Sequence, residues 1–189
     1  MQKQPALILV LGMPGSGKTT LAKKLATELT LPLISKDDIK VMLFDIYGWK
    51  DREWSKMAGQ ASYAIMDYFI VEQLRAGHSL IVESPFNPEF DNTKFRKWQE
   101  EYDVRYTQIY CYADADVIRQ RFRDRAISDS RHVSSIEGEE GLRDLENHIN
   151  RGVEPLDIGG ALIKIDSTDF SKVDEIGTIG RLREALSLK

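Results

Sequence analysis

Three groups of residues carry chemistry by their type and spacing. The first is Gly12-Met13-Pro14-Gly15-Ser16-Gly17-Lys18-Thr19-Thr20. Gly-x4-Gly-Lys-Thr is the phosphate-loop pattern. Its glycines let the backbone curl until several N–H groups point into one concavity, and a helix starting at Lys18 adds its positive end. Lys18 can then reach the β- and γ-phosphates of ATP, and the Thr19 hydroxyl can coordinate Mg²⁺. Pro14 has no N–H to offer and stiffens the outer part of the curve. Gly12, Pro14, Gly15, Ser16, Gly17, Lys18, Thr19 and Thr20 are therefore expected to bind the nucleotide.

The second group is Ser35-Lys36-Asp37-Asp38-Ile39-Lys40. A carboxylate beyond the end of a strand can take the proton of a hydroxyl as it attacks the γ-phosphorus, which is the chemistry expected of Asp37. Lys40 lies three residues on, on roughly the same helical face, and could steady the substrate. Asp38 has a plainer explanation, a capping box opened by Ser35. Acidic residues in a first helical turn also favour the helix dipole, so Asp37 has a purely structural reading as well. Glu83, at the end of the apolar run Leu80-Ile81-Val82, is expected at the substrate side, where it could hold Mg²⁺ through water or merely cap a turn.

The third group is basic. Arg119, Arg121, Arg123, Arg125 and Arg131 fall within thirteen residues. On a helix from Asp114, Ala115, Ile118, Phe122 and Ala126 make the buried stripe, with arginines on both flanks. Some can pair with Asp116 and Asp124, which is worth little at a surface. Phosphoryl transfer also needs cations over the migrating charge, often brought in by a lid.

These groups need a frame that brings them to one place. Ala6–Leu11, Pro32–Ile34, Ser79–Glu83, Val104–Tyr112 and Ala161–Ile165 read as strands. Helical patterns fill the intervals: 18–29, 35–44, 52–75, 92–102, 114–127, 142–150 and a last one ending near Leu186. Apolar strands alternating with helices predict a parallel sheet covered on both faces, with ligands beyond the carboxyl ends of the strands. The expected class is α/β, a three-layer P-loop NTPase fold with a five-stranded parallel sheet in the order 2-3-1-4-5. Residues 1–189 read as one domain, with a polar, mobile, arginine-bearing lid near 128–141.

With that frame the chain resembles the small P-loop kinases of the AAA-type ATPase-like family. These include the polynucleotide kinase 5′-kinase domain, the zeta toxins and chloramphenicol phosphotransferase. The shared residues are Gly12 to Thr20 and Lys36-Asp37-Asp38. The resemblance implies Asp37 as catalytic base and Lys40 as the following basic residue, a Lys where polynucleotide kinase has Arg. It also implies Arg121, Arg125 and a lid Arg131 as the charge clamp. It places the adenine between the lid helix and the loop after the fifth strand, where Asp166 and Thr168 stand. The expected activity is ATP-dependent phosphorylation of a small hydroxyl-bearing molecule. Phosphorylation of nucleic-acid 5′-hydroxyls and a non-catalytic ATP-binding module are the alternatives.

Bulk properties fit this reading. The 189 residues are 42 % hydrophobic and 30 % charged, with a net charge of −4. No global attraction to nucleic acid follows from that balance. There is no guanine-reading Asn-Lys-x-Asp motif and no zinc-type spacing among His78, His132 and His148. Cys111 stands alone in an apolar run, which predicts a buried small hydrophobe. No stretch approaches the ~20 apolar residues of a membrane span, and the start lacks a signal-peptide pattern, so a cytoplasmic protein is expected. Tyr47, Trp49, Arg52 and Trp54, with Phe86 and Asn87, are candidates for the acceptor pocket, although aromatics at such spacings more often belong to a core.

Overall fold

The computed structural model describes residues 4–127 and 138–186, and the side chains of 125–127 and 138–140 are outside that description. The elements are β1 (Ala6–Gly12), α1 (Lys18–Leu29), β2 (Leu33–Ser35), α2 (Lys36–Tyr47), α3 (Arg52–Arg75), β3 (Leu80–Glu83) and α4 (Pro88–Tyr102). They continue with β4 (Arg105–Tyr112), α5 (Ala115–Ile127), α6 (Gly138–Arg151), β5 (Ala161–Asp166) and α7 (Glu175–Leu186). A single 3-10 turn, Phe170–Lys172, joins β5 to α7. All neighbouring strands pair in parallel, in the order β2-β3-β1-β4-β5. The expected sheet and strand order are those observed.

β1 is buried along its whole length because it runs in the middle of the sheet. Its side chains alternate between the two faces, as pleating requires. Leu7, Leu9 and Leu11 enter one core with Met66 and Ile70 of α3 and Phe95 and Trp98 of α4. Ile8 and Val10 enter the other with Leu21 and Leu25 of α1 and Leu182 of α7. A small third cluster, Met13, Ile118 and Leu145, seats α5 and α6 beside the loop that follows β1.

Three expectations change. α4 begins at Pro88, not near Asn92, because Asn87 caps it through Glu89 N–H and proline suits the first turn. α6 begins at Gly138, so the last residues of the expected 128–141 lid are helix, while 128–137 lie outside the described residues. Phe86, a candidate for the acceptor pocket, is 2 % exposed and packs edge-on against Phe95 in the core. Tyr47 and Trp49 do the reverse of a core role, being 63 % and 46 % exposed. Cys111 is buried as expected, and burial pushes its thiol up to about 12. Among the described residues no helix is long and apolar enough to cross a membrane.

Candidate active site

Strand register assembles the site. β1 delivers Gly12, β2 delivers Ser35 and β3 delivers Glu83 to the same end of the sheet. Glu83 lies beside Val10 on one side and Ser35 on the other. Beyond these ends opens a cavity of about 400 Å³, lined by the phosphate loop, Asp37, Glu83, Arg121 and Phe122 among others.

The loop takes its shape from glycine. Gly12, Gly15 and Gly17 have φ of 136°, 84° and 79°, values that side chains rarely tolerate. Gly17 is also the N-cap of α1, whose first turn has no side-chain cap and no acidic residue. That uncapped end suits an anion. Lys18 is only 7 % exposed and donates to Met13 O at 2.9 Å, which holds it across the loop. Among the described residues the buried Ser16 hydroxyl has no hydrogen-bond partner, leaving an orphan acceptor and donor within the loop. Pro14, Thr19 and Thr20 line the cavity with the glycines.

The opposite side of the cavity is made of side chains. Ser35 caps α2 by accepting from Asp38 N–H at 3.4 Å, and its hydroxyl donates to Glu83 Oε2 at 2.6 Å. The reciprocal half of the expected capping box is replaced, since the Asp38 carboxylate faces Lys23 at 3.6 Å. Glu83 is 1 % exposed. Burial drives its carboxyl above the ordinary value more than Lys18 and Ser35 bring it down. Asp37 lines the open cavity and pairs with Lys36 at 2.7 Å. Burial alone would raise its carboxyl. Lys36, by charge and hydrogen bond, with Lys18 and Lys40 behind it, outweighs that and holds it below its ordinary value. Lys40 stands over the Phe44 ring at 5.5 Å.

These residues fit Mg²⁺. Thr19 offers a hydroxyl in the cavity, and Glu83 brings a buried carboxyl group to the same cavity. Among the described residues no cluster of three or more His, Cys, Asp or Glu could hold a metal. Mg²⁺ needs no such cage, because it keeps waters and takes one or two protein oxygens with substrate phosphates.

The base side differs from expectation in detail. Arg121 donates to Ser167 O at 2.6 Å and Thr168 O at 3.3 Å, and stacks over Phe170 at 4.6 Å. It thus joins α5 to the loop after β5. Ser167, buried, donates to Ser16 O at 2.8 Å and ties that loop to the phosphate loop. Asp166 accepts from Thr168 N–H, and Thr168 Oγ1 accepts from Asp114 N–H, so both shape this turn. Arg119 is committed to Asp116 and, through two nitrogens, to Glu146. Arg125 belongs to α5 with its side chain outside the description, and Arg131 and His132 lie outside the described residues. Phe170, Phe122 and Asp124 line the cavity without having been expected there. Nothing local marks them; only the crossing of α5 and the 3-10 turn over the loop does.

Comparison with known proteins agrees with this architecture. A family model described as AAA domain matches residues 7–147. A solved structure from Chloroflexus aurantiacus J-10-fl, provisionally described as a kinase, is 35 % identical with a TM-score of 0.88. It covers 99 % of this chain and 98 % of its own. A sugar kinase from Janibacter sp. HTCC2649 shares the fold at 17 % identity and a TM-score of 0.58, covering 98 % of this chain and 95 % of its own. The cytidylate kinase of Pyrobaculum calidifontis is 35 % identical over 77 residues, which is 40 % of this chain and 42 % of that protein. The match thus spans less than half of the curated relative.

Proposed function

The chain belongs to the AAA domain family, and from that premise we propose that it is a kinase moving the γ-phosphate of ATP to a hydroxyl of a small-molecule acceptor. The observation that carries this reading is the presence of Asp37 in the same cavity as Lys18 and Thr19. A carboxylate held ionised there could take the proton of an attacking hydroxyl. The likeness at 35 % identity to a protein provisionally described as a kinase supports it.

In this reading the loop amides and Lys18 bind the β- and γ-phosphates. Mg²⁺, held by Thr19 and through water by Glu83, would neutralise charge on those phosphates. The acceptor oxygen bonds to the γ-phosphorus as the bond to the β,γ-bridging oxygen breaks. The hydroxyl proton passes to Asp37, and ADP leaves. Lys40 steadies the acceptor. Arg121, Arg125 and Arg131 are the proposed cations over the migrating charge, Arg121 also bracing the loop after β5. Asp166 and Thr168 hold the loop against which the adenine lies.

The test is a screen of γ-labelled ATP against pooled sugars, nucleosides, antibiotics and oligonucleotides. Label is expected in a small-molecule pool, and Asp37→Asn should lower transfer by ~10²–10⁴ while ATP still binds. ATP binding without label in any pool would sink the kinase reading. Label only in oligonucleotides would make the acceptor a nucleic acid.

A further inference from the structure

We propose that Lys36 is the positioning residue of the Asp37 carboxylate, holding Oδ1 so that Oδ2 is left to take the acceptor's proton. The inference rests on the reading of Asp37 as the base. Neighbours i and i+1 on a helix do not face one another, so helix geometry does not supply their contact. Here Lys36 Nζ nevertheless donates to Asp37 Oδ1 at 2.7 Å. The two ends of the pair differ sharply: the Lys36 side chain is 12 % exposed and the Asp37 side chain 61 %. The ammonium is on the protein side and the carboxylate on the cavity side. Among the described residues Oδ2 accepts no hydrogen bond.

The surroundings hold the ammonium in place. It lies 5.6 Å from the Tyr63 ring centre, so α3 provides its seat. The Tyr63 hydroxyl in turn approaches the buried Ser84 hydroxyl at 3.5 Å. The backbone beneath is anchored because Ser35 both caps α2 and donates to Glu83. Charged groups facing the pair come from every packed element. They are Lys18 of α1, Lys40 of α2 and Glu83 of β3, with Tyr63 of α3 as the titratable neighbour. A buried ammonium stripped of its carboxylate is costly, so the pair is not the interchangeable contact of an exposed surface.

Lys36→Met and Lys36→Arg test the assignment with two readouts. One is the titration of ¹³C-labelled aspartate carboxyls by NMR, with Asp37 identified by its loss in Asp37→Asn. The other is turnover of Mg·ATP with water as the acceptor, so no acceptor need be known. Lys36→Met should raise the Asp37 midpoint and lower turnover about tenfold, a part of what a general base contributes, with KM for ATP within about twofold. Lys36→Arg should return both toward the parent values. Should Lys36→Met fail to fold, Lys36→Gln removes the charge while keeping a donor, and the same results are expected. An unmoved Asp37 midpoint overturns the proposal. A raised midpoint with unchanged turnover overturns the base reading beneath it, and the positioning role falls with it. Full turnover in Asp37→Asn would also sink that reading, whatever Lys36 does to the midpoint.

Discussion

The two sides of the cleft are built by opposite means. The phosphate side is one contiguous stretch, Gly12 to Thr20, and most of its work is done by backbone in conformations that glycine permits. The acceptor side gathers Lys36 and Asp37 from α2, Tyr63 from α3 and Glu83 from β3, and it works through side chains. Tyr47 and Trp49, at and just beyond the far end of α2, are open to solvent. A backbone site has few ways to vary, so it fixes that a phosphate is bound. A side-chain site drawn from several elements can be altered piece by piece, so under the proposed function the choice of acceptor would reside there.

The same substitution should therefore have opposite effects in the loop and in the helix that carries Tyr63. At Gly12 an added Cβ would stand 2.0 Å from the Cys111 carbonyl oxygen, at a φ of 136°. Gly12→Ala combines overpacking against backbone with strain and should cost about 4 kcal/mol or more. Gly59 lies inside α3, where a Cβ meets nothing within 4 Å. Gly59→Ala should stabilise by about 0.5–1 kcal/mol through helix propensity. Urea melts of both variants measure the pair, and equal losses would show that the loop glycine is held no more tightly than a helix glycine.

Glu83 sits on the boundary and titrates against the fold. Its carboxyl is raised above the ordinary 4.5, so the folded state favours the protonated form. Its contribution is fully favourable below 4.5 and is lost as pH rises through the folded value. Glu83→Gln should flatten that part of the stability–pH curve of the nucleotide-free protein. It should also weaken the stabilisation gained from Mg·ATP relative to ATP with chelator. Melting temperatures across pH, with and without Mg·ATP, check both, and an unchanged slope would take Glu83 out of the boundary.

The same contrast explains what could be read from sequence. The phosphate loop was legible because its chemistry is local: the glycine spacing itself dictates the backbone. The sheet was legible because β1 and β3 are apolar throughout and helices separate the strands. The start of α4 was obscured by two prolines, since Pro88 in a first turn and Pro85 before it look alike without the Asn87 cap. Asp37 could be suspected from its place after β2, but its Lys36 contact depends on the Tyr63 seat, 26 residues away in sequence. Phe170 was invisible for the same reason. A Cβ on Gly17 would strike its ring, and only the packing of the β5–α7 connection brings the two together.

The smallest expected effect falls at the connection between α2 and α3. Trp54, in the first turn of α3, is tied to that connection: its indole N–H donates to Gly48 O at 2.7 Å, its ring meets Tyr47 edge-on at 6.4 Å, and Lys50 stands 5.0 Å above it. Trp54→Phe should lose about 1 kcal/mol with the hydrogen bond. Trp49 is 46 % exposed, so Trp49→Ala should change stability by no more than about 0.5 kcal/mol. Exposure of so large a ring costs apolar area in water, which a bound acceptor would recover. If these exposed aromatics take part in acceptor recognition, Trp49→Ala should leave melting and KM for ATP unchanged while raising KM for whichever acceptor the label screen yields. An unchanged acceptor KM would confine recognition to the group around Asp37 and leave these aromatics as solvent-facing surface.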